Sequence, residues 1–267
     1  MNDAKKIYII GIGDDGPAGF TQEARSRVAA ADLVVGAAAL TGALQDCGAV
    51  KWDPEGDFQA VLEKIRNHPD DDVVVLASGD PLFYGVARFL CDHLGKERFE
   101  VLPHVSSMQL AFARVKESWD EAYLTNLGTQ DPERVVERIR TAEKVGIFTT
   151  EDVTPATLAR LCLDRHIDYF TVYVCENLGS PDERVTQGSL AEVADQEFAS
   201  LNVMVLVRDV GSPDRPVDSG GQRLFGNPDE LFLQSQPKRG LLTPAEVRSM
   251  ALAEMDLGAS SIVWDIG

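Results

Sequence analysis

Residues 73–85 read VVVLASGDPLFYG. Val73, Val74, Val75 and Leu76 form an apolar, mostly β-branched run of the kind that fills a parallel strand covered on both faces, and the run breaks at Ala77-Ser78-Gly79. Gly79 lets the backbone approach a ligand closely, Asp80 puts a carboxylate at the strand's C-terminal end, and Pro81 fixes the turn. A helical pattern follows at Tyr84, Ala87, Leu90 and Leu94. Ligands of open α/β sheets sit at that edge of the strands. An acidic group there suits a ribose hydroxyl or a cationic group and repels a phosphate. An ordinary strand-loop-helix connection would use the same residues, so this segment alone leaves both readings open.

The same unit recurs upstream. Lys6 to Ile12 predicts a buried strand that opens into Gly11-Ile12-Gly13-Asp14-Asp15-Gly16-Pro17, which contains G-x-G-x-x-G. A dinucleotide fingerprint needs the helix to begin at once. Here Pro17 and Gly19 prolong the loop to Thr21, and Asp14-Asp15 would repel a pyrophosphate. Thr21 is the expected N-cap of a helix with Ala24, Val28 and Ala31 as its apolar stripe. Asp32 to Gly36 reads as a second strand, and Asp57 as the start of a helix that buries Phe58, Val61, Leu62 and Ile65.

Downstream, Phe99 to Leu102 predicts a strand, and Pro103-His104-Val105-Ser106-Ser107 opens a helix with Met108, Ala111, Phe112 and Val115 inward. Ser106 can cap that helix, or present a hydroxyl and free backbone N–H groups to a ligand. A second unit is expected from Trp119. It has strands at Ala122 to Leu124, Val145 to Thr149, Tyr169 to Cys175 and Leu201 to Val207, with helices from Asp131-Pro132 and Thr154-Pro155. Fewer helices separate these strands, which predicts a mixed sheet. Residues 211–223, GSPDRPVDSGGQR, read as linker. Thr243-Pro244-Ala245-Glu246 then reads as a capping box, followed by a helix through Val247, Met250, Ala251 and Met255 and a strand at Ile262-Val263-Trp264.

The chain has 267 residues, 44% of them hydrophobic, enough for roughly two domains at about 150 residues each. A formal net charge of −18 without a basic run argues against nucleic acid or an anionic membrane as partner. No apolar run approaches the roughly 20 residues of a membrane span, and the N-terminus lacks a signal-peptide pattern, so a cytoplasmic protein is expected. Cys47, Cys91, Cys162 and Cys175, like His68, His93, His104 and His166, are scattered without metal-ligand spacing, so no metal site is expected.

Together IYIIGIG (7–13), LASGDPLFYG (76–85), VSSMQLAFAR (105–114) and ENLGSPDERVTQG (176–188) closely resemble the tetrapyrrole (corrin/porphyrin) methylase family, in particular its cobalamin-pathway members, over residues 6 to 208. The resemblance implies a two-domain α/β methylase fold, with a mainly parallel sheet in residues 1–116 and a mixed sheet in 117–210. A linker over 211–240 would lead to the start of a further α/β methyltransferase domain at 241–267. It also implies a homodimer, S-adenosylmethionine bound in a cleft between two domains, and methylation of a tetrapyrrole (precorrin) substrate, precorrin-6Y, at C5. Matching motif positions makes Asp14, Ser78, Gly79, Asp80, Phe83, Ser106 and Ser107 cofactor-binding, with Thr149 and Leu178 following less directly. Precorrins carry many carboxylates, and Arg114 is the candidate cation for them. No catalytic residue is assigned.

Two stretches depart from the family pattern: Asp14-Asp15 replaces Pro-Gly, and Asn126-Leu127-Gly128-Thr129-Gln130 replaces Ser-Leu-His-Gly-Arg. Two alternatives stay open, the first after distant members of the family and the second raised by the altered 126–130 loop. One is a related methylase acting on protein or RNA; the other is a non-catalytic cofactor-binding scaffold for the further domain.

Overall fold

A computed structural model describes residues 5–44, 47–69, 71–209, 229, 243–255 and 264. The chain divides into two compact units. The first takes in Met1–Ser118 together with Cys175–Val185 and Leu201–Val203, and the second takes in the remainder.

The first unit alternates strand and helix: β1 (Ile7–Ile12), α1 (Gln22–Ala30), β2 (Leu33–Val35), α2 (Ala38–Gly42), β3 (Val50–Trp52), α3 (Phe58–Arg66), β4 (Val73–Ser78), α4 (Val86–Leu94), β5 (Phe99–Leu102) and α5 (Ser107–Val115). Its sheet has the order β3-β2-β4-β1-β5, and all four neighbouring pairs are parallel, with Ile9 opposite Val75 and Val34 opposite Val74. Successive strand residues face opposite sides. Ile7, Ile9, Leu33, Val35, Val73 and Val75 therefore pack with α3 and α4, while Ile10, Ile12, Val34, Val74 and Leu76 pack with α1. Both faces are covered at the centre of the sheet, which is why β2 and the start of β4 are apolar at every position, whereas the edge strands β3 and β5 carry Lys51 and Glu100.

The second unit contains β6 (Tyr123–Asn126), α6 (Pro132–Thr141), β7 (Lys144–Phe148), α7 (Pro155–Leu163) and α8 (Leu190–Ala194), and most of β8 (Phe170–Glu176), β9 (Arg184–Ser189) and β10 (Asn202–Arg208). The strand order is β6-β7-β10-β8-β9. β6 and β7 are parallel, whereas β10 runs against its neighbours: Arg208 N–H donates to the Glu143 carbonyl just before β7, and Asp209 N–H to Tyr169 just before β8. The sheet is mixed, as expected. Asp131 and Thr154 cap α6 and α7 through their side chains.

Several local expectations change. α2, β3, β9 and α8 are additional elements. Tyr84 lies outside α4, in the preceding loop at φ +57°, so only Ala87 and Leu90 of the expected stripe are fully buried. Phe58 is 43% exposed and meets Phe89 at a ring-centroid distance of 5.7 Å instead of entering the core. α9 (Ala245–Glu254) begins after Pro244 with no side-chain cap and buries none of its residues, so the Thr243–Glu246 capping box does not form. Of the expected linker 211–240 only Asp229 is described. Of the expected final strand, Ile262 and Val263 lie outside the described residues, and Trp264 is not in a strand and is 81% exposed.

Candidate functional site

Parallel strands end on the same side, so the loops after β1, β4 and β5 meet there. Gly79 N–H donates to the Ile12 carbonyl at 2.9 Å, and His104 N–H to the Gly79 carbonyl at 3.2 Å. A Cβ on Gly11 would lie 2.0 Å from the Gly79 oxygen and 2.5 Å from the His104 nitrogen, so only glycine fits. Gly79 itself sits at φ +61°, and a Cβ on it would come 3.0 Å from the Ser106 Cα. The three loops touch through their backbones.

On this frame the loop after β4 organises around Asp80. Its Oδ1 accepts from Leu82 N–H at 2.9 Å and its carbonyl accepts from Phe83 N–H at 3.1 Å, a turn that holds the half-buried carboxylate at the strand end. Ser78 is exposed at the end of β4, and the Phe83 ring stands edge-on to Tyr84 at 5.0 Å. Beyond β5, Ser106 is 6% exposed and builds a complete capping box. Its hydroxyl accepts from Gln109 N–H, and its own N–H donates to Gln109 Oε1 at 2.9 Å. The free N–H expected at Ser106 is thus occupied, and the exposed Ser107 is the hydroxyl left facing outward.

Asp14 is exposed in the loop after β1. It lies against the turn at residues 177–183, where a Cβ on Gly179 would sit 3.5 Å from the Asp14 side chain. Leu178 is buried in the same turn. Arg114, the expected substrate cation, instead forks onto Glu183: its Nε bonds Oε1, and its Nη2 bonds Oε2 at 3.1 Å. Glu183 Oε2 also accepts from Gly179 N–H at 2.8 Å. The Arg114 hydrogen bond, with the Gly179 amide, holds the Glu183 carboxyl below its ordinary range.

Asp14, Ser78, Gly79, Asp80, Phe83, Ser106, Ser107 and Leu178 all belong to the first unit, whereas Thr149 is half-buried just past β7 in the second. The altered loop of the second unit is tied to β7 by Leu127 N–H, which donates to the Phe148 carbonyl at 2.9 Å, and is otherwise closed on Asn126. Asn126 Oδ1 accepts from Gly128 N–H at 2.8 Å, and the Asn126 carbonyl accepts from both Thr129 and Gln130 N–H at 3.1 Å.

His104 joins this frame, although no motif of the sequence marks it as a site residue. Its ring covers Gly13, where a Cβ would meet Cε1 at 2.7 Å, and Nε2 stands 3.5 Å from Asp15 Oδ1. Its place directly between a strand end and the Ser106 cap was the available signal.

A cavity of about 300 Å3 opens in the first unit, lined by Val35, Leu40, Phe58, Phe83 and Tyr84 with Asp53 on its wall. Among the described residues no three His, Cys, Asp or Glu side chains gather as a metal site. Burial pushes the Cys162 and Cys175 thiols up to about 12, away from thiolate chemistry. What remains is an edge of carboxylates, hydroxyls and close-approach backbone beside an apolar cavity. This arrangement fits a cationic, hydroxyl-bearing ligand better than a phosphate.

Residues 6–194 match Tetrapyrrole (Corrin/Porphyrin) Methylases, and the chain belongs to that family. It is 30% identical over 98% of its length to a precorrin-6Y C(5,15)-methyltransferase [decarboxylating] of Sinorhizobium sp, and spans 62% of that protein. It is 31% identical to a probable cobalt-precorrin-7 C(5)-methyltransferase of Methanocaldococcus jannaschii, over 76% of this chain and 98% of the other. Solved structures carry the same fold. The precorrin-6Y methylase of Archaeoglobus fulgidus has a TM-score of 0.59 at 20% identity, covering 77% of this chain and 99% of its own. A uroporphyrin-III C-methyltransferase of Thermus thermophilus, solved with S-adenosyl homocysteine, has a TM-score of 0.57 at 20% identity over 76% of this chain and 92% of its own.

Proposed function

We propose that this chain is an S-adenosylmethionine-dependent methyltransferase acting on a precorrin in cobalamin biosynthesis, and that the methylated atom is C5. One observation favours C5. Relatives named for that single position, from Salmonella typhimurium and Methanocaldococcus jannaschii, align over 98% of their own length. A relative named for C(11) matches at 23% identity.

When bound, S-adenosylmethionine supplies an electrophilic methyl group on a sulfonium. The chain's own residues have three tasks. Gly79 allows the backbone to close on the nucleoside, Asp80 accepts from ribose hydroxyls, and Ser107 adds a hydroxyl at the helix start. Asp14 and Asp80 make the edge negative, which favours the cationic donor. The apolar wall around Phe83 and Tyr84 suits a flat ring. Methyl transfer needs the C–S bond in line with the attacking ring carbon, and alignment of this kind is worth about 7–11 kcal/mol in well-oriented cases. The reading also carries the family's homodimer and a cytoplasmic location.

The test is incubation with methyl-labelled S-adenosylmethionine and either precorrin-6Y or cobalt-precorrin-7, with the product located by NMR. Label at C5 is expected, and label at another ring carbon would refute the C5 assignment. The Asn126–Gln130 loop, which has no His or Arg, favours a second reading as a cofactor-binding scaffold. Tight cofactor binding without transfer to either substrate would select it.

A further inference from the structure

We infer that Arg114 and Glu183 form a positioning latch that sets the 177–183 turn against the loop after β1, so that Leu178 and Asp14 are presented to the cofactor together. The inference rests on the proposed cofactor edge. It assigns Arg114 a role through Glu183 in place of direct contact with substrate carboxylates.

The geometry is specific. The guanidinium is fixed at the last turn of α5, whose start carries the Ser106 cap. Its two nitrogens take both oxygens of Glu183, 69 residues further along the chain. Glu183 Oε2 then holds Gly179 N–H, and Gly179, at φ +90°, is the turn residue packed on Asp14. A side chain at Gly179 would be strained in that conformation, and its Cβ would stand in van der Waals contact with Asp14 at 3.5 Å. Other bonds brace the turn: Ser180 N–H to the Asn177 carbonyl, Glu183 N–H to the Ser180 carbonyl, and Asn177 N–H to the Leu201 carbonyl. None of these reaches α5; the Arg114 fork does. Most surface ion pairs contribute little, but a bidentate arginine–carboxylate pair with a third donor on the same oxygen is the geometry that fixes position. Glu183 is the better shielded partner, at 21% side-chain exposure against 42% for Arg114.

The experiment is calorimetric titration of the chain with S-adenosylhomocysteine, run alongside hydrogen exchange at the Gly179 amide. Arg114→Gln and Glu183→Gln should each weaken binding about 10-fold, the double variant should be no worse than either single, and the swap Arg114→Glu/Glu183→Arg should not recover the loss, because an arginine at 183 cannot accept from the Gly179 N–H. Arg114→Lys should recover only part, because an ammonium cannot make the fork. Gly179 exchange should rise in both single variants, with melting curves confirming that they fold.

Unchanged affinity in the single variants, or additive losses in the double, would overturn the latch. So would a Glu183→Gln variant with unaltered cofactor binding and a lower KM for precorrin, the signature of Arg114 acting on substrate directly. If the unmutated chain binds no nucleoside, the proposed function fails. The exchange measurement then decides the latch separately, since unaltered Gly179 protection in both single variants would refute it.

Discussion

The parallel sheet of the first unit and the mixed sheet of the second bury their strands to a similar degree, yet they treat their edges differently. In the parallel sheet every strand ends on the same side, so the loops after β1, β4 and β5 converge on one line of backbone: Gly79 bonds Ile12 and His104, and Gly11 leaves no room for a side chain beside them. In the mixed sheet β10 runs opposite to β7 and β8, so its connections are shared between the two ends. Most candidate residues gather where strand direction gathers loop ends. Changes to the mixed core should therefore affect stability, and changes to the parallel edge should affect binding.

The largest stability change is expected from Phe170→Ala, among the largest fully buried side chains and part of the mixed-sheet core. It should lower unfolding free energy by about 4 kcal/mol in urea titration, with cofactor affinity of the folded protein unchanged. A comparable loss of affinity would blur the separation of the two regions. Gly11→Ala, at the parallel edge, should cost about 3 kcal/mol and abolish cofactor binding, because the added methyl meets backbone atoms that cannot move independently. Ser106→Ala should cost about 1 kcal/mol through loss of the cap, whereas Ser107→Ala should leave stability unaltered and weaken binding.

The smallest effect concerns pH. The folded Glu183 carboxyl is held below its ordinary value of 4.5, so its contribution to stability is complete above that value and disappears as pH falls through the lower folded one. Urea titrations in acid should show a shallower loss of stability for Glu183→Gln than for the unmutated chain.

The sequence revealed the frame of the parallel sheet because its central strands are apolar at both parities and its helices carry legible caps at Thr21, Asp57 and Ser106. It hid α2 and β3, which are five and three residues long and lie partly exposed, below the length at which periodicity can be read. α8 was within reach. Ser189 and Glu192 make the same box as Ser106 and Gln109, although only five helical residues follow it. Tyr84 matched the helical spacing by position alone, since its positive φ places it in the loop.

At the site, Gly79 and Asp80 stood out through their place after an apolar run. Partnerships did not. Nothing local links Arg114 to Glu183, 69 residues along the chain, or Gly11 to His104, because such pairs arise from the folded topology rather than from neighbouring residues.

The central claim is that the C-terminal edge of the parallel sheet holds the adenosyl group, and a crystal structure with bound S-adenosylhomocysteine tests it most directly. The expected result is the nucleoside seated against Gly79 and Asp80 with Ser107 within hydrogen-bonding distance. A nucleoside bound elsewhere, with the Asp80 carboxylate and Ser107 hydroxyl turned away from it, would contradict the claim.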